Sequence, residues 1–145
     1  MKAKDYLKEI QAINANIYAD MEELEELTAL ATKTTSIISD ERVQSSGNQQ
    51  KLETYAVKIA DLKDKIKQDI VMAMRQKKEA RKLIRENCEP DCITLLYKRY
   101  FQKKKWEEIA VEMNYTYKWV SGRLHGKALA QLQKALDERE GEANG

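Results

Sequence analysis

The stretch Trp106-Glu-Glu-Ile-Ala-Val-Glu-Met-Asn-Tyr-Thr-Tyr-Lys-Trp-Val120 decides how this chain of 145 residues is read. Trp106, Ile109, Ala110 and Met113 recur at helical spacing and predict the inner face of a short helix. Asn114 then stands at a tight turn where glycine is usual, and asparagine tolerates the left-handed conformation such a turn can require. Thr116 reads as a helix N-cap, and Val120, Leu124, Ala128, Leu129 and Leu132 as the inward face of the helix it starts. The small side chain of Ala110 lets two helices cross closely. Short helix, tight turn, threonine cap and second helix together make helix-turn-helix spacing. The alternative is a plain three-helix bundle in which the same apolar residues are only core.

The second helix of this motif presents Tyr117, Lys118, Ser121, Gly122 and Arg123 outward, groups suited to base edges and phosphates. Lys103, Lys104 and Lys105 precede the first helix, where phosphate contacts are geometrically reasonable, and Lys127 lies further along the second. The candidate DNA-binding set is therefore Lys103, Lys104, Lys105, Thr116, Tyr117, Lys118, Ser121, Arg123 and Lys127. Charge supports it. The net charge is only +2, but acidic side chains crowd the first 30 residues while Arg75, Lys77, Lys78, Arg81, Lys82 and Arg85 face only Glu79. A polyanion partner would meet the C-terminal half; the plainer alternative is a solvated helix surface.

Upstream the pattern predicts long helices. Tyr6, Ile10, Ile13, Ile17, Met21, Leu24, Leu27 and Ala31 keep one stripe on one face from about Lys4 to Thr34. Leu52, Tyr55, Ile59, Leu62, Ile66 and Ile70 do the same in a helix from about Lys51 to Asn87. A loop is expected over about 35–50, where Thr-Thr-Ser and Ser-Gly-Asn are poor helix continuations, with Ser46 or Asn48 capping the next helix. Pro90 ends the second helix and fits the first turn of a third, Asp91–Phe101. The expected fold is all-α: an antiparallel hairpin or coiled coil over 1–88, a helix-turn-helix domain over 89–138 and a disordered tail over 139–145. Two helices make a thin core, so the hairpin is expected to form a homo-oligomer through the same seam.

Composition removes other classes. Gly 5 and Pro 1 disfavour a turn-rich β fold. No apolar run approaches the ~18 residues of a membrane span, and the N-terminus has no apolar signal core. Cys88 and Cys92 resemble half a zinc site, but with His125 the only histidine no metal site and no cofactor are expected. No catalytic grouping or phosphate-binding glycine loop is present, so no enzyme is expected.

Leu95-Leu-Tyr-Lys-Arg-Tyr100, Trp106-Glu-Glu-Ile-Ala110, Met113-Asn-Tyr-Thr116 and Leu124-His-Gly-Lys-Ala-Leu129 resemble region 4 of bacterial sigma factors. More closely they resemble the sigma-like regulators of phages and prophages, the ArpU- and RinA-type activators. The N-terminal half, with its Val43-Gln-Ser-Ser-Gly47 segment, resembles a phage family of formerly unassigned function. Two departures stand out. Asn114 replaces the usual glycine, and Val120-Ser-Gly-Arg-Leu124 is one residue longer than sigma-like spacing. The resemblance implies a transcriptional regulator that binds promoter or operator double-stranded DNA in the bacterial cytoplasm. It does not imply a full sigma factor, since no promoter-melting segment is recognisable. Two other functions fit the same pattern: a small terminase subunit in DNA packaging, and a protein-interaction module contacting host RNA polymerase.

Overall fold

The computed structural model describes residues 1–40 and 46–144, and these contain helices and no strand. Helix α1 spans Ala3–Ala12, α2 Ala15–Asp40 and α3 Ser46–Asn87. Helix α4 (Pro90–Leu96) runs into a π-helical turn (Tyr97–Phe101), and α5 covers Trp106–Met113. Helix α6 (His125–Asn144) continues from a π-helical stretch (Trp119–Leu124). No helix among the described residues is long and apolar enough to cross a membrane. The chain divides into two units, one made of residues 1–13 with 74 onward, the other of residues 14–73.

The first unit has a continuous core. Leu95 and Leu96 of α4, Ile109 of α5, and Val120, Leu132 and Leu136 are fully shielded from solvent. Helix α3 contributes Ile84, and α1 contributes Ala3 and Leu7. Burying each large aliphatic side chain in this way contributes roughly 1.5–3 kcal/mol. Val120, Leu124, Ala128 and Leu132 are all buried and all four residues apart. In a helix of 3.6 residues per turn each such step drifts about 40° around the axis. The wider π-helical turn at Trp119–Leu124 takes back part of that drift and holds the four side chains on one core.

The unit boundary differs from the division expected at residue 88. Helix α1 packs with the C-terminal helices because Ala3 and Leu7 enter their core. Its N-terminus is tied down as well. The Gln133 side chain accepts from the Ala3 amide at 2.7 Å and donates to the Met1 carbonyl at 3.0 Å. The helix predicted over Lys4–Thr34 is accordingly interrupted at Ile13–Asn14, so one stripe serves two units.

Two further expectations need correction. Most of the loop expected over 35–50 is helical, since α2 persists to Asp40 and α3 is under way at Ser46, ahead of Asn48. Thr34, Thr35 and Ser36 survive in the helix because each hydroxyl donates to the carbonyl four residues earlier. Residues 41–45, and with them most of the Val43–Gly47 segment, lie outside the described residues. The tail expected to be disordered over 139–145 is part of α6 as far as Asn144. There the Arg139 guanidinium lies 5.6 Å from the Tyr6 ring centre, and Glu140 pairs with the N-terminal ammonium at 2.5 Å.

The second unit is thinner. Ile17, Ile66, Ala73 and Thr34 are its buried side chains among the described residues. Lys65 of α3 pairs with Asp20 of α2 at 2.5 Å and with Asp69 of its own helix at 3.0 Å. Met21, Leu30, Ile37, Val57 and Ile70 remain exposed.

Candidate nucleic-acid interface

Helix α5 is set up by local chemistry. Glu107 and Glu108 in its first turn favour the positive end of the helix dipole. At its other end Asn114 adopts φ 59° and ψ 38°, the left-handed conformation. The Tyr115 amide then donates to Ala110 at 3.0 Å and the Asn114 amide to Val111 at 3.3 Å, the Schellman pair of bonds that satisfies the last carbonyls. Two residues on, the Thr116 hydroxyl accepts from the Trp119 amide at 3.2 Å and caps the next helical turn. Ile109 is fully buried and Ala110 nearly so, as the spacing of the opening stretch predicts.

Trp106, expected as a buried anchor, is only half-buried. Its indole sits under the Arg99 guanidinium at 4.5 Å and edge-on to the His125 ring at 4.8 Å. His125 also shares a 2.7 Å hydrogen bond with the Tyr100 hydroxyl. Burial, with Lys4 and Arg99 nearby, lowers the imidazole pKa to about 4, so it is neutral at pH 7. This group fastens the π-helical turn after α4 to α5 and α6.

The predicted residues divide by environment. Tyr117, Lys118 and Arg123 are exposed, as is Trp119, whose ring lies 6.2 Å from that of Tyr115. Ser121 is half-buried and donates its hydroxyl to the Tyr117 carbonyl at 2.7 Å, which leaves only its acceptor capacity. Lys104 is tied to Glu112, which also takes Lys98 at 2.8 Å, and these two ammonium groups hold the Glu112 carboxyl below its ordinary pKa. Lys127 is held by Glu89 at 2.5 Å, at the start of α4. Lys103, Lys105, Lys118 and Arg123 have no ion-pair partner among the described residues. Free cations therefore stand at two places, before α5 and on the turns that follow Thr116.

Sequence reasoning did not anticipate that Lys103 would lie near enough to Lys77 of α3 for its charge to act on it. The Lys77 pKa is lowered by burial and by the charges of Arg81 and Lys103. The basic run itself was visible; its neighbour across the fold is a tertiary fact. Cys88 and Cys92 are free, and burial pushes the Cys88 thiol up to about 11, which keeps it protonated. Among the described residues no group of three or more His, Cys, Asp or Glu side chains could hold a metal ion.

Comparison of the chain with models of protein families, with curated proteins and with solved structures returns no match.

Proposed function

We propose that this chain is a DNA-binding transcriptional regulator of the phage type, which reads promoter or operator duplex through the helical turns after Thr116. One observation carries the reading. A left-handed turn at Asn114 and a cap at Thr116 join two helices whose inner residues are buried, and the second leaves Tyr117, Lys118 and Arg123 exposed, the two cations without an ion-pair partner among the described residues. That is the disposition a helix-turn-helix uses in the major groove. The π-helical stretch Trp119–Leu124 fits the same reading, because a π turn absorbs the residue by which Val120–Leu124 exceeds sigma-like spacing.

The chain is inferred to act as a dimer or higher oligomer. The Asp20–Lys65 pair suits an antiparallel arrangement of α2 and α3, and the exposed Met21, Leu30, Ile37 and Val57 suit a second copy. Those apolar side chains equally favour a small terminase subunit as the second reading, which solution mass separates from the first. A dimer supports the regulator, and a ring of roughly eight or more subunits supports packaging.

Selection of bound sequences from a random duplex pool tests the function. A recovered consensus is expected, with affinity falling linearly in log salt. Replacing Arg123 or Lys118 should cost about 1–3 kcal/mol and relax preference at particular bases. No consensus and no salt-dependent binding would leave the protein-interaction reading, with host RNA polymerase as the partner to assay.

A further inference from the structure

Arg75, Lys78, Lys82 and Arg85 step by three, four and three along α3, and all four are exposed. They form one row on the helix surface. Lys77 and Arg81 form a second row beside it, four residues apart. The Arg81 guanidinium rests 5.1 Å from the Phe101 ring centre, and the Arg81 carbonyl accepts from the Tyr97 hydroxyl at 3.1 Å. These contacts fix the second row against the π-helical turn that ends α4. Lys103 follows that turn after Gln102.

The surface carries more cation than acid: Glu79 and Glu86 stand four residues after Arg75 and Lys82 and form no ion pair with them among the described residues. None of the six α3 cations, nor Lys103, has an ion-pair partner among the described residues, whereas Lys98, Lys104 and Lys127 in the same unit are all paired. Glu79, the acid within the run, borders the first row on the side away from Lys77 and Arg81, and lines a cavity of about 340 Å³ with Tyr6 and Arg139. Like charges three and four residues apart destabilise a helix. Lys103 adds a second cost, since it holds φ 57°, a left-handed conformation that glycine adopts without penalty. A binding surface for a regularly spaced polyanion accounts for both.

We propose that the outer face of α3 from Arg75 to Arg85, together with Lys103, is a second binding surface for the phosphate backbone of duplex DNA, distinct from the element that begins at Thr116. The proposal rests on the DNA reading above and extends it. Lys103 lies three residues before α5, so the α3 face continues the phosphate contacts expected ahead of that helix. Contacts of this kind position the protein and carry no sequence information.

The test compares the whole chain with two variants of equal net charge. One is Arg75→Gln/Lys78→Gln/Lys82→Gln/Arg85→Gln. The other removes four exposed lysines elsewhere on the same helix, Lys51→Gln/Lys58→Gln/Lys63→Gln/Lys67→Gln. Each is titrated with a selected duplex and a random duplex across a salt series, with circular dichroism to verify folding. The first variant is expected to bind both duplexes about tenfold or more weakly near 0.1 M salt, and to lose about 0.9 of salt slope per phosphate contact removed. Its preference for the selected sequence should not change. The second variant should follow the parent. Equal affinity and slope for the first variant and the parent would overturn the proposal while leaving the DNA reading intact. A parent without salt-dependent DNA binding would overturn both. If the first variant kept its DNA affinity but turned a salt-sensitive oligomer into monomers, the face would instead hold the acidic stretch of a second copy.

Discussion

Helices α5 and α2 carry similar apolar spacing, yet they end in very different surroundings. Ile109 of α5 is fully buried, while Met21 in the corresponding stripe of α2 is 46% exposed. The difference is the number of neighbours. In the unit containing α5, parts of six other helical elements close over one core; in residues 14–73 the stripe has α2 and part of α3. A stripe therefore states which face of a helix seeks burial, and tertiary structure decides how much of it is covered.

The largest expected effect tests that contrast directly. Truncating Ile109 to Ala should cost about 2–5 kcal/mol in denaturant unfolding, from lost burial and the cavity left behind. Met21→Ala should cost less than about 0.5 kcal/mol if residues 14–73 stand alone. If a second copy covers the stripe, the cost at Met21 rises and the melting temperature depends on protein concentration. An unchanged unfolding midpoint for Ile109→Ala would break the comparison, and with it the assignment of α5 to the core.

What was legible in the sequence follows from the same distinction. Asn114, Thr116 and the series Val120, Leu124, Ala128 and Leu132 were readable because a cap, a left-handed turn and an i, i+4 repeat are short-range features. The all-helical composition was readable for the same reason. The transfer of α1 to the C-terminal unit was not, since Tyr6 and Ile10 continue the stripe that contains Ile17. Asn14 and Asn16 mark the interruption, and isolated asparagines are a weak signal. The threonines after Ala31 misled in the opposite direction. Their low propensity predicts a break, but their hydroxyls found carbonyl partners inside the helix. In the candidate interface, the exposed side chains were visible from helical phase. The neutralisation of Lys104 by Glu112, eight residues away, depends on how α5 leaves the preceding loop and was not.

A second contrast concerns acid. The single histidine and both tryptophans lie in the first unit, so tryptophan fluorescence reports on that unit while circular dichroism reports on every helix. His125 has a folded pKa lowered by burial from 6.5 to about 4. Between those values the unfolded chain binds a proton that the folded chain does not, so stability falls as pH drops through 6.5 and levels off near 4. The ring is partly exposed, and solvent screening limits the loss to the order of 1 kcal/mol. The fluorescence-detected melting temperature should therefore decline over that window, and the decline should shrink in His125→Gln. An equal decline in the variant would assign the acid sensitivity to carboxylates and remove the histidine from the comparison.

The smallest expected effect separates folding from function at one atom. Gly122 is exposed within the π-helical stretch, and a Cβ built there meets nothing within 4 Å. Nothing inside the unit requires a glycine at this position. Alanine should then stabilise the helix by about 0.5–1 kcal/mol, because glycine loses more backbone freedom on folding. Gly122 lies between Ser121 and Arg123, on the turns proposed to enter the major groove. Close backbone approach to a duplex is a demand on this residue that the isolated unit does not make. Gly122→Ala is accordingly expected to melt slightly higher while binding its selected duplex several-fold more weakly, with random duplex affected less. A variant that gains stability and keeps full affinity would show that the backbone at 122 stays clear of DNA. The contact would then fall to the longer side chains of Lys118 and Arg123 on either side.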